Sequence, residues 1–177
     1  MSPFDKQDVY GGSGRFPQLL TKTKDLADIF EVVKEAVRVE LGVSRAGLML
    51  GLADLGGDST SFIGGMYPVA SNIIIVNKGP LERVRSSSPE LYKAYVFHIL
   101  LHEYVHSIGY IDEGQARRTT LDISTGLFGK EHLVAKLAED ISQFLPMFAY
   151  PVPCPMPEDI QLELVKNFDR SSVNYIL

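Results

Sequence analysis

Two histidines four residues apart, His102 and His106, constrain the fold most, because they stand near the end of a long predicted helix. Ser88 can cap this helix, which we expect over residues 88–108, and Gly109 can end it. Positions four apart on a helix differ by about 40° of rotation and about 6 Å of rise, so both imidazoles face one side. The spacing predicts that the two rings bind one metal ion, and zinc suits two imidazole ligands.

The residues around the two histidines predict the rest of a hydrolytic site. Glu103 points about 100° away from the first histidine, so its carboxylate can act as a general base on metal-activated water without itself coordinating. A turn at Gly109 would bring a further carboxylate round to the same ion. Asp112, six residues after His106, is the first candidate for this third ligand. Glu113 is the alternative, because Asp112 can instead cap the helix that follows.

The pattern His102-Glu103-x-x-His106-x-x-Gly109-x-x-Asp112 resembles that of the zincin metallopeptidases, with a metzincin-like arrangement in which Asp replaces the usual third His. The match covers residues 102–113 and is similar to small zincin-like metallopeptidases. It implies an α+β fold in which a small mixed sheet packs on the active-site helix, with further helices on the C-terminal side. It also implies zinc-dependent hydrolysis of peptide bonds by metal-activated water, with Glu103 as the general base and a peptide or protein as the substrate.

Two other functions fit the same residues. One family of bacterial RNA-maturing endoribonucleases resembles the ligand spacing, but it carries Gly in place of Glu103 and His in place of Asp112. The other alternative is a non-catalytic module in which zinc only stabilises the helices. Glu103 and the net charge of -5 favour the peptidase, because domains that bind nucleic acid usually carry positive charge. We therefore expect no nucleic-acid partner.

Length and composition predict a single domain over residues 1–177. Hydrophobic residues make up 45% of the chain and charged residues 22%, and the mean hydropathy is +0.05. This balance argues against disorder, and the apolar runs are far shorter than the roughly 18 residues of a membrane-spanning helix. Cys154 is the only cysteine, and the N-terminus does not resemble a signal peptide. We therefore expect a cytoplasmic protein without a membrane partner or an intrachain disulfide.

The remaining sequence predicts the elements around the long helix. Residues 1–20, which are rich in glycine and show no period, predict a loop or arm. Apolar residues at helical spacing, or caps and stop signals, predict three further helices, over 23–41, 112–127 and 131–144. Short apolar runs between glycines, and an alternating pattern near the C-terminus, predict four strands, at 47–52, 61–63, 72–77 and 160–164.

A further histidine, His98, lies one turn before His102 on the same face of the long helix. Three ligands between residues 98 and 106 of a straight helix would span about 12 Å and cannot converge on one ion. We therefore predict a structural role for His98.

Overall fold

The fold, in a computed structural model that describes residues 14–170, combines seven α-helices with one small mixed sheet. The helices are α1 (Arg15–Thr21), α2 (Leu26–Leu41), α3 (Lys78–Arg85), α4 (Pro89–Ser107), α5 (Glu113–Phe128), α6 (Leu133–Glu139) and α7 (Leu145–Phe148). The strands are β1 (Met49–Ala53), β2 (Gly65–Met66), β3 (Ile73–Asn77) and β4 (Glu163–Leu164). The predicted α+β class with a small mixed sheet is confirmed.

The four strands lie in the order β2-β3-β1-β4. Strands β1 and β3 are parallel, while β2 and β4 pair antiparallel with them on the two sides. The central pair is apolar and mostly buried, as expected for strands that are covered on both faces. This order leaves β2 at one edge of the sheet, next to α4.

Helix α4 is the centre of the fold and begins where the sequence predicts. The hydroxyl of Ser88 accepts a hydrogen bond from the backbone N–H of Leu91 (3.1 Å), which satisfies one of the unpaired donors at the helix start. The helix contacts α2, α3, α5, α6 and the β2–β3 side of the sheet, and Tyr95, Leu100 and Tyr104 are fully buried. Packing on several sides therefore fixes the path of α4 through the fold.

The prediction of a loop over residues 1–20 is wrong for residues 15–20, which belong to α1. Phe16 and Leu20, four residues apart, are 1% and 4% exposed, and the ring of Phe16 lies 6.1 Å from that of Phe128. A helix of about two turns gives too short a pattern to recognise in sequence, so contacts with the core decide the conformation. Residues 1–13 lie outside the described part of the chain.

Two further predicted elements differ from the structure. The predicted strand at 61–63 is an isolated bridge at Phe62, whose ring packs against Phe148 (5.8 Å between centroids), and regular pairing begins only at Gly65. The predicted helix at 131–144 ends at Glu139. Asp140 is extended, and its carboxylate accepts a hydrogen bond from the N–H of Ser142 (3.0 Å), so a short 3₁₀-helix starts there.

The other predicted elements are confirmed with small shifts in their bounds. Helices α2 and α5 lie within about three residues of their predicted limits, β3 and β4 lie within their predicted runs, and β1 extends one residue beyond its run. Helices α3 and α7 were not predicted. None of the helices between residues 14 and 170 has both the length and the apolar character needed to cross a bilayer.

Candidate metal centre

Three side chains converge where α4 ends and α5 begins. The Nε2 atoms of His102 and His106 are 3.2 Å apart. The carboxylate of Glu113 lies against both rings, with Oε1 3.0 Å from His102 Nε2 and Oε2 3.0 Å from His106 Nε2. Within residues 14–170, these three form a group whose potential ligand atoms lie within 4.8 Å of one another. Two imidazoles and a carboxylate are a donor set found in catalytic zinc sites.

The distances in this cluster fit a zinc ion. Nitrogen and oxygen ligands about 2.0–2.1 Å from one tetrahedral zinc lie about 3.3 Å from each other, close to the observed 3.2 and 3.0 Å. Burial lowers the pKa of His102, which favours the neutral imidazole that a metal requires. Burial raises the pKa of Glu113, but His102 and Arg117 outweigh it and lower that pKa overall, which favours the ionised carboxylate.

The second histidine is oriented by the turn after α4. The Nδ1–H group of His106 donates a hydrogen bond to the carbonyl of Tyr110 (2.7 Å). Because a carbonyl can only accept, this bond places a proton on Nδ1, so the neutral ring would present Nε2 to the cluster as a ligand atom. Gly109 makes the turn with φ of +115°, a backbone conformation that residues with a Cβ rarely adopt. The turn predicted at Gly109 after the long helix is therefore present in the structure.

The structure places the two candidate third ligands differently. The carboxylate of Asp112 accepts a hydrogen bond from the N–H of Gln115 (2.8 Å) and caps α5. Glu113, one residue further, turns its carboxylate toward His102 and His106. Adjacent residues at a helix start point about 100° apart, so the cap and the cluster require different side chains. Of the two, the structure brings Glu113 to the histidines.

Arg117, to which the sequence pattern assigns no function, forms an ion pair with Glu113. Its Nε–H donates to Oε1 of Glu113 (3.1 Å). The signal that identifies this contact is the spacing of four residues between an acid and a base on one helix. The bond places a positive charge against the carboxylate that faces the two imidazoles.

Glu103 lies beside the cluster and faces β2. Its side chain is 6% exposed, and its Cγ atom lies 3.4 Å from the position that a Cβ would take on Gly65. Burial raises the pKa of Glu103 to about 8, the charge of Glu113 adds to this effect, and the backbone N–H of Tyr67 opposes it. A buried carboxyl with a raised pKa close to a candidate metal site is suited to accept and release protons.

A single arginine ties the end of α4 to the chain that follows β2. The guanidinium of Arg45 donates to the carbonyls of Ser107 and Ser71 and to the hydroxyl of Tyr67, each at 2.7 Å. Ser107 is the last residue of α4. Arg45 therefore links the end of α4 to the segment whose backbone approaches Glu103.

The cluster opens into a cleft of about 800 Å³. Its walls come from β2 and its flanking residues, α4, the start of α5 and the segment 137–145. Four exposed apolar side chains lie along it: Ile63, Met66, Val69 and Ile111. A cleft of this volume, with apolar walls and a few converging polar groups, is typical of a ligand-binding site.

Comparison with known proteins does not provide a family for this chain. No family model matches it, and neither a curated protein nor a solved structure gives a significant match.

The raised pKa of Glu103 predicts how stability changes with pH in the metal-free protein. Its pKa is about 8 in the folded chain against an ordinary value of 4.5, so its contribution to stability is complete below pH 4.5 and is lost as pH rises through 8. We expect the free energy of unfolding of Glu103→Gln, measured relative to the wild type, to increase by about 3 kcal/mol from pH 5.5 to pH 8.5. Urea unfolding in the presence of a chelator measures this difference.

Glu139→Gln is the matched control, because Glu139 lines the same cleft but is exposed. The difference in free energy of unfolding between Glu139→Gln and the wild type should not increase with pH in this way. A difference between Glu103→Gln and the wild type that stays constant from pH 5.5 to 8.5 would show that burial does not control this carboxyl.

Proposed function

We propose that this protein is a zinc-dependent metallopeptidase in which His102, His106 and Glu113 hold the metal and Glu103 is the general base. The observation that carries the proposal is the position of Glu103. Its buried carboxyl lies next to the three-ligand cluster without belonging to it, and it lines the same cleft. A hydrolytic site needs this separation between the residues that bind metal and the residue that moves a proton.

The chemistry divides between the metal and the chain. Zinc, when bound, polarises the carbonyl of the substrate and makes water more acidic. Next to a bound cation the ionised form of Glu103 is favoured despite its raised pKa, and its carboxylate takes a proton from the attacking water as a new bond forms to the carbonyl carbon. It then delivers that proton to the amide nitrogen as the C–N bond breaks. A carboxyl with a raised pKa holds the proton between these two steps more readily than an exposed glutamate does.

The edge strand β2 is the second feature that supports a peptide as the substrate. It lies at the side of the sheet and forms part of the cleft wall. An extended peptide can pair with the backbone of an exposed strand edge while its side chains enter neighbouring pockets. Exposed Met66 and Val69 provide apolar contacts for such side chains.

The charges along the cleft favour the peptidase over the endoribonuclease alternative. Three exposed acidic residues, Glu113, Glu139 and Asp140, line it beside the buried Glu103, whereas Arg117 is the one Arg or Lys among the described lining residues. This balance repels a polyphosphate backbone. A purely structural zinc site would normally be closed by four protein ligands, whereas three converge here within residues 14–170. These features favour a catalytic centre over a zinc-stabilised module.

Purified protein should contain about one zinc per chain without added metal, because three oriented ligands are already assembled. It should hydrolyse unfolded casein or a peptide library, lose this activity with a chelator and recover it with zinc. Elemental analysis measures the zinc content, and mass spectrometry of the products measures hydrolysis. The double variant His102→Ala His106→Ala should retain neither zinc nor activity.

RNA is the parallel substrate in this experiment. Hydrolysis of RNA but not of protein would favour the endoribonuclease alternative. Stoichiometric zinc without hydrolysis of either substrate would favour the non-catalytic module. Retention of zinc by the double variant would show that the metal binds elsewhere.

A further inference from the structure

Arg45, in the loop between α2 and β1, is bonded to the end of the helix that carries Glu103. Its backbone N–H donates to the hydroxyl of Tyr104 (2.8 Å), the residue after Glu103. Its guanidinium donates to the carbonyl of Ser107 (2.7 Å), in the last turn of α4. Carbonyls of a last helical turn have no partner within the helix. Arg45 supplies one here, and this fixes it to α4 at two points.

The same guanidinium holds the chain that follows β2 in a closed set of hydrogen bonds. It donates to the hydroxyl of Tyr67 and to the carbonyl of Ser71, each at 2.7 Å. The hydroxyl of Tyr67 donates to that same carbonyl (2.8 Å). Between them, Ala70 has φ of +65°, a conformation that persists in a residue with a Cβ only where the surrounding contacts impose it. We therefore expect the path of residues 67–71 to depend on Arg45.

Tyr67 connects this segment to the candidate base. Its backbone N–H donates a hydrogen bond to the carboxyl of Glu103, which is buried and lines the cleft. A general base must lie within hydrogen-bond reach of the water it deprotonates. A displacement of about 1 Å can cost roughly 10²-fold in rate. A donor that fixes the carboxyl of Glu103 therefore affects hydrolysis directly.

We propose that Arg45 is a positioning residue for hydrolysis: by joining Tyr67 and Ser71 to the end of α4, it keeps the N–H of Tyr67 on Glu103. An arginine suits this role, because its planar guanidinium offers several donors in a fixed geometry and here serves three acceptors at once. The inference rests on the proposed peptidase function and adds to it a residue that does not line the cleft.

A double-mutant cycle on the zinc-loaded, full-length protein tests the proposal. Arg45→Met should lower kcat for a peptide cleaved by the wild type by about 10- to 100-fold, with the zinc content unchanged. In a Glu103→Gln background, the same change should lower kcat by less than about 3-fold, because the position of the base no longer matters when the base is absent. Equal losses in the two backgrounds would overturn the proposal, since Arg45 would then act independently of Glu103.

Arg85→Met is the matched control. Arg85 also donates to a tyrosine hydroxyl, that of Tyr92 (3.2 Å), but neither of these residues lines the cleft. Its kcat should stay within about 3-fold of the wild type.

Tyr67→Phe keeps the proposal testable if Arg45→Met does not fold. This variant removes the hydroxyl that Arg45 bonds, but it keeps the backbone N–H that reaches Glu103. It should lower kcat by about 3- to 10-fold, and by less than about 2-fold in the Glu103→Gln background. An unchanged kcat, or an equal loss in both backgrounds, would count against the proposal.

Amide hydrogen exchange, followed by NMR on the zinc-loaded protein, gives a readout that does not depend on activity. Arg45→Met should make the N–H of Tyr67 exchange at least about 10-fold faster, while the N–H of Leu100 in the middle of α4 keeps its rate. Unchanged protection of Tyr67 overturns the positioning role even if the protein is a peptidase. A wild-type protein that binds zinc yet cleaves no peptide overturns the peptidase function, and the role of Arg45 in hydrolysis with it.

Discussion

Replacing Glu103 with Gln should lower kcat for peptide hydrolysis by about 10²- to 10⁴-fold while zinc stays bound. Glutamine keeps nearly the same volume in this buried position, but its amide cannot accept a proton from water. Because Glu103 is not among the three clustered ligands, the metal site itself should be unaffected. Steady-state kinetics on a peptide cleaved by the wild type, with zinc content measured on the same sample, provides the test.

The control for this variant is again Glu139→Gln, which removes an exposed carboxylate from the same cleft. Its kcat should remain within a few-fold of the wild type, because it touches neither the cluster nor the base. If Glu103→Gln turns over peptide at the wild-type rate with zinc bound, Glu103 is not the base. A parallel loss of zinc would instead mean that Glu103 supports the metal centre.

Glu113→Ala should weaken zinc binding by more than the 10- to 100-fold typical of losing a residue behind the ligands. The carboxylate of Glu113 lies 3.0 Å from both imidazole nitrogens, so its removal leaves only two ligands in the cluster. Asp112→Ala should have a smaller effect on zinc, and it should destabilise the protein by about 1 kcal/mol through loss of the α5 cap. Competition with a chelator measures zinc affinity for both variants.

Asp112→Asn separates the two possible roles of Asp112. Asparagine caps helices about as well as aspartate, but it lacks the charge of a carboxylate ligand. If Glu113 is the ligand, Asp112→Asn should match the wild type in both zinc affinity and stability. The reverse ranking, with zinc lost in Asp112→Asn and retained in Glu113→Ala, would assign the third ligand to Asp112, as the family resemblance implies.

The sequence by itself determined the features that depend on residues close together in the chain. The Ser88 cap, the spacing of His102 and His106, and the turn at Gly109 each act within a few residues. The rotation and rise of a helix are constant, so the common face of the two histidines follows from their numbers alone. The same local rules located α2, α5 and three of the four strands.

The tertiary structure decided what depends on partners distant in sequence. Residues 15–21 form a helix whose Phe16 packs against Phe128, and regular pairing of the edge strand begins only at Gly65. The difference between Asp112 and Glu113 is likewise a matter of orientation, because both types of side chain can cap a helix or bind zinc. Burial of Glu103 against β2 arises only when separate elements pack. Sequence patterns carry information about backbone geometry, whereas burial and charge environment are properties of the assembled fold.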